Sequence, residues 1–237
     1  MLRRSRTQPS AFDHLQQPKL RAIDYAVERV AARSVADLGG VWAVEAGYVR
    51  YALSRPGVEQ GVLVDTGITD TVRQFAAQDP RLRLVDGEFG ATDSVAAVGE
   101  VDVVLLLDVL LHQVAPDWDE VLRRYADVAR AIVVVEPTWT GQDVIRLWDL
   151  GEEGYRAATP KDGALPDWSQ LDEVDPRYGR PHRDVHEYWQ WGLPDSAKRA
   201  VMEQLGWRLG YWADHGTWNG LPRFRTVASV YLSPEVD

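Results

Sequence analysis

Along the first 137 residues, short apolar runs alternate with stretches whose apolar residues recur every three or four positions. The runs "SVADLG" (34–39), "GVLVD" (61–65), "RLRLVDG" (81–87), "VDVVLLLD" (101–108) and "AIVVVEP" (131–137) predict strands. The last two are nearly continuous in β-branched residues and leucine, as strands buried on both faces are. Between the runs, three helices are predicted: Val44 to Leu53, 69–78 with Thr69 or Asp70 as N-cap, and 115–130. The third opens at a proline and spaces Trp118, Val121, Leu122 and Tyr125 along one face. Strands and helices alternating in this way imply right-handed crossovers and a parallel sheet covered on both faces.

The texture changes after Pro137. Residues 138–192 are rich in tryptophan, tyrosine, glycine, proline and charge, without strand periodicity, and read as an insertion on the core. A helix over 195–206 follows, capped by Asp195 or Ser196 and stopped by Gly206. Strands at 207–213 and 224–232, separated by "DHGTWNGLP", predict a hairpin. With no internal repeat or flexible linker, the expectation is one domain over 1–237, carrying 138–192 as a lid on its substrate side.

Composition narrows the class. A formal net charge of −10 over 237 residues argues against a nucleic-acid footprint, which needs a basic field. The absence of cysteine excludes disulfides, thiolate metal sites and cysteine nucleophiles. The opening "MLRRSRTQPSAFDHLQQPKL" has no apolar core behind its basic residues, and the apolar stretch at 103–111 is too short to span a bilayer. A soluble, cytoplasmic protein with a small-molecule partner is expected, with neither nucleic acid nor membrane as partner. The oligomeric state is not set by these features.

The turn after the first strand, "DLGGVWA", is where such folds hold a nucleotide-like cofactor against backbone amides. It lacks the G-x-G-x-x-G of a dinucleotide site and the lysine of a P-loop. It does carry Asp37 two residues before Gly39 and Gly40, and a second acid, Asp65, closes the next run. Together these features resemble the class I S-adenosylmethionine (SAM)-dependent methyltransferases, whose first-strand motif runs acid-x-Gly-x-Gly-x-Gly. Val41 and Ala43 stand where that family keeps its second and third glycines. "DGEFG" (86–90) resembles the turn after the family's third strand, and "VDVVLLLDVLLH" (101–112) its fourth-strand motif. The resemblance covers roughly 20–137 and 194–232.

It implies a Rossmann-like, mostly parallel seven-stranded sheet with helices on both faces and an antiparallel last strand. It further implies SAM as cofactor: Asp37 near the ammonium, Gly39 and Gly40 at the turn, Asp65 on the ribose, Glu88 and Phe89 at the adenine, and Asp108 near the methionine end. The implied activity is methyl transfer to an oxygen or nitrogen of a small molecule. A SAM-binding or cofactor-free relative that does not methylate remains an alternative, as does an oxidoreductase with a degenerate dinucleotide site. His186, in the insertion, and His112, after the fourth strand, are the candidate bases. His182 and His186 would share one helical face, but no third ligand stands out, and no metal is expected.

Overall fold

A computed structural model describes residues 12–161 and 167–236. The first eleven residues, which include most of the basic opening stretch, lie outside it. All five predicted strands form: β1 (Ser34–Leu38), β2 (Gln60–Asp65), β3 (Leu82–Asp86), β4 (Val101–Leu107) and β5 (Ala129–Trp139). A long hairpin, β6 (Arg208–Trp218) and β7 (Leu221–Leu232), completes a seven-stranded sheet in the order β6-β7-β5-β4-β1-β2-β3. The five central and distal strands run parallel, while β7 is antiparallel to both of its neighbours, β5 and β6.

Period-two alternation sorts the side chains between two cores. Val103, Leu105, Leu107, Val133 and Val135 face one side, where α1 (Gln17–Val30), α2 (Gly47–Leu53) and α3 (Asp70–Gln78) pack. Val104, Leu106, Ile132 and Val134 face the other, against α4 (Thr92–Val98), α5 (Trp118–Ala126) and α7 (Asp195–Gln204). Covering both faces is what removes the near-continuous apolar runs from water, at roughly 25 cal/mol per Å² buried.

Several element ends differ from expectation. The helix predicted from Val44 starts at Gly47, because 41–46 are spent on consecutive turns in which Ala43, Glu45 and Ala46 have left-handed backbones. The helix predicted over 115–130 covers only 118–126; Ala115, at φ 52°, cannot be helical, while Trp118, Val121, Leu122 and Tyr125 are buried as expected. Thr69 caps α3, accepting from Val72 N at 3.2 Å. Neither Asp195 nor Ser196 caps α7. Pro194 holds that position, and Asp195 instead accepts from Trp212 Nε1 and Ser229 Oγ. The hairpin strands run through most of the predicted loop and turn only at Asn219-Gly220, both with positive φ, as a two-residue turn requires.

The segment between β5 and α7 forms the short helix α6 (Gly151–Ala158) and two small ribbons, Ile145–Arg146 with Trp191–Gly192 and Val174–Asp175 with Arg180–Pro181. Its own aromatic core holds it together. Trp148 stacks on Tyr155 at 4.1 Å, Tyr188 and Trp168 pack around them, and Trp218 of the hairpin tip meets Trp189 at 5.0 Å.

Candidate functional site

Ligands of open α/β sheets bind beyond the carboxyl ends of the strands, where strand order reverses. Here the reversal lies between β1 and β4; β1, β2, β3 and β4 end at or beside an acid, Asp37, Asp65, Asp86 and Asp108, and Glu136 lies within the last four residues of β5.

Asp37 is fully buried rather than open to the cleft. Its Oδ2 accepts from Val49 N at 3.2 Å, and Oδ1 is buried without a hydrogen-bond partner. Gly40 roofs it: a Cβ there would fall 2.3 Å from Oδ2, so any other residue would displace the carboxylate. Burial pushes the Asp37 carboxyl up to about 7, against the Val49 amide and the Lys19 charge. Gly39, at φ 73°, donates its N–H to Val64 O, and a Cβ on it would strike Val109 at 2.8 Å and near Phe89 at 3.5 Å. Ala43, in the third-glycine position, takes the left-handed backbone (φ 62°) that a glycine would adopt freely. Val41 buries its side chain in the core beside α1 and α2, so the valine does not occupy the cleft. Trp42 is 87% exposed, on the turn itself.

Asp65 is held by the turn it faces. Oδ2 accepts from Val41 N at 3.0 Å and Oδ1 from Gly67 N at 2.8 Å. An ionised carboxylate offers about four acceptor sites, so each oxygen keeps capacity for a further donor. Glu88, in the turn after β3, accepts from Arg180 Nη2 at 3.3 Å. Phe89 lays its ring toward Gly39, and its carbonyl accepts from Tyr125 Oη at 2.7 Å.

Asp108 has a left-handed backbone (φ 62°) and pairs with the buried ammonium of Lys19, which lies 5.1 Å from the Tyr48 ring centre. Sequence reasoning missed Lys19, although the signal was present. The buried face of α1 runs Lys19, Ile23, Ala26, Val30, a lysine in line with an apolar stripe. The same signal marks Lys198, ahead of Val201 and Met202 on α7. Lys198 is buried against Glu136, Nζ to Oε1 at 2.8 Å, and also donates to Thr138 Oγ1 at 3.0 Å. Burial raises the Glu136 carboxyl, and Lys198 opposes the shift.

His112 follows Asp108 in a short turn, with Nδ1 3.0 Å from Tyr188 O. A carbonyl can only accept, so Nδ1 carries the proton and Nε2 keeps its lone pair. Burial lowers the His112 pKa; the Tyr188 carbonyl, the charge of Asp108 and the His186 backbone oppose this, and only the charge of the His186 ring adds to it. His186 rests edge-on against Tyr178 at 5.1 Å. His182 and His186 do not share a helical face. His182–Asp184 is a single 3-10 turn followed by extended Val185, and His182 Nδ1 approaches Asp175 Oδ2 at 3.5 Å.

No protein-family model matches the sequence, and neither does any curated protein. Solved structures do. An O-methyltransferase family protein from Burkholderia thailandensis is 21% identical, over 93% of this chain and 57% of that one, with a TM-score of 0.52. The N-terminal domain of EvdMO1, solved in the presence of S-adenosylhomocysteine (SAH) and D-fucose, is 15% identical over 93% of this chain and 84% of its own (TM-score 0.57). The 1,6-didemethyltoxoflavin-N1-methyltransferase of Burkholderia thailandensis, with its substrate and SAH bound, is 13% identical over 92% and 79% (TM-score 0.56). This chain therefore spans little more than half of the first protein's length. The fold is that of the class I, Rossmann-like SAM-dependent methyltransferases, with its antiparallel last strand in place. Among the described residues no helix is long and apolar enough to cross a membrane.

Proposed function

We propose that this chain is a SAM-dependent methyltransferase acting on an oxygen or nitrogen of a small molecule. The observation that carries the reading is Asp65. Its carboxylate is fixed at the switch-point edge by two backbone amides and retains an acceptor site on each oxygen, which suits a ribose diol. The rest of the cleft fits the same occupant. The left-handed Gly39 brings backbone close, and Glu88 and Phe89 offer an acceptor and a ring for adenine. Asp108, partly exposed and held from behind by the buried Lys19, offers an acceptor to the ammonium of an amino-acid end. The structures solved with SAH support this reading through their shared fold.

SAM, when bound, supplies an activated methyl group on a sulfonium. What the chain contributes is placement and proton handling. Holding the acceptor in line is the larger part, with effective molarities of roughly 10⁵–10⁸ M available to well-oriented groups. His112 then accepts the acceptor's proton at Nε2. It is favoured over His186 because the Tyr188 carbonyl fixes its tautomer and burial keeps it neutral. The insertion serves as the lid that excludes water and selects the acceptor.

Calorimetric titration with SAM, SAH and NAD tests the site, with Asp65→Ala alongside. Micromolar SAM and SAH binding, weakened at least tenfold in the variant (about 1.4 kcal/mol), is expected, with no heat from NAD. An absence of SAM and SAH binding to folded protein refutes the reading. Binding without SAH formation across hydroxyl, carboxyl and amine acceptors would leave a binding protein in its place.

A further inference from the structure

Besides its aromatic contacts with the hairpin, the insertion meets the body of the domain at the turns after β4 and β3. On the β4 side it is bonded into the turn that carries His112. Gln190 N donates to Leu111 O at 2.9 Å, Trp191 Nε1 to Gln113 O at 2.8 Å, and His112 Nδ1 to Tyr188 O at 3.0 Å. On the β3 side, Arg180 reaches from its small ribbon to Glu88. The turn after β3 that carries Glu88 folds toward the turn after β4: a Cβ on Gly90 would meet Gln113 and Pro116 at 2.8 Å. The two attachments differ in kind. The first is a set of bonds built largely on backbone groups, with Gln190 fully buried. The second is an ion pair whose side chains are 24% and 42% exposed, the sort that is weak and sensitive to salt.

We propose that Arg180 is a positioning residue of the cleft: it orients Glu88 toward an adenine amine and couples the seating of the insertion to occupancy of the site. This rests on the cofactor reading above. Arg180 takes one of the acceptor sites of Glu88 in a charge-assisted bond and leaves others for an exocyclic amine. A ligand that immobilises Glu88 also immobilises the anchor of Arg180. By linkage, the factor by which the ligand holds the insertion down equals the factor by which the seated insertion tightens the ligand.

Hydrogen–deuterium exchange of the full chain, with and without SAH, tests the coupling when paired with calorimetry on wild type, R180K and R180Q. In wild type and R180K, SAH is expected to slow exchange over 174–188 by about fivefold. R180Q is expected to bind SAH about fivefold more weakly, with slowing confined to the body around 39–41 and 65–67. Equal slowing over 174–188 in R180Q overturns the proposal, as does SAH binding to wild type that leaves this segment unchanged. If wild type gives no heat with SAH, the cofactor reading itself falls and takes the coupling with it, an outcome the titration separates from the other two.

Discussion

Replacing Asp37 by asparagine should stabilise the protein at alkaline pH. The carboxyl lies under Gly40 with Oδ1 unpartnered, and burial raises its pKa from 3.8 to about 7. The folded protein therefore binds a proton that the unfolded chain has already released. Stability falls as pH rises between about 4 and 7, because the native state holds more protons there than the unfolded state. About three pKa units at 1.36 kcal/mol each give a loss of up to about 4 kcal/mol, complete above pH 7. Asparagine keeps an oxygen for Val49 N and carries no charge. Asp37→Asn should thus match wild type near pH 4 and exceed it by about 2–4 kcal/mol at pH 8.5. Urea unfolding followed by circular dichroism at pH 4.5, 6 and 8.5 measures this, since the difference between the two proteins cancels other titrating groups. A difference that stays flat with pH would refute the reasoning, as would a variant less stable than wild type at pH 8.5.

Three further outcomes follow from the geometry. Lys198→Met strands the buried Glu136 carboxylate and should cost about 3–5 kcal/mol in chemical denaturation, whereas Glu136→Leu combined with Lys198→Met should come close to neutral. His112→Gln should leave SAH affinity within about twofold while cutting turnover by about 10²–10⁴ with an acceptor that must lose a proton. Because burial lowers the His112 pKa, the acid limb of the wild-type rate profile should fall below pH 6.5. Tyr155→Ala removes the ring stacked 4.1 Å from Trp148 and should destabilise the insertion by about 3 kcal/mol. Limited proteolysis should then cut within 140–190 while the sheet stays intact.

The parallel core was legible because its strands are apolar on both faces, and Asp37, Asp65, Glu88 and Asp108 were legible because each closes or follows such a run. Their roles were less so. The sequence places Asp37 at a strand end, but only the fold shows it buried beneath Gly40. Arg180 and Glu88 are 92 positions apart, and no local pattern announces their pairing. Lys19 and Lys198 could have been found by treating a lysine on an apolar helical stripe as a charge seeking a buried partner. The insertion resisted reading because, apart from the short α6, its elements are two-residue ribbons and single turns. Its order comes from aromatic contacts among distant residues rather than from periodicity.

The place of β7 in the sheet bears on how the chain is made. It follows every other strand in sequence, yet lies inside the sheet, pairing with β5 from Phe224–Trp139 to Leu232–Ala131. While a ribosome is still extending the hairpin, β5 presents an unpaired edge of eleven mostly apolar residues, an open template for a neighbouring chain. The finished molecule hides this strand, but a nascent or C-terminally clipped one exposes it. Yield on expression should therefore depend on how quickly residues 221–232 arrive and dock, as well as on the stability of the folded product.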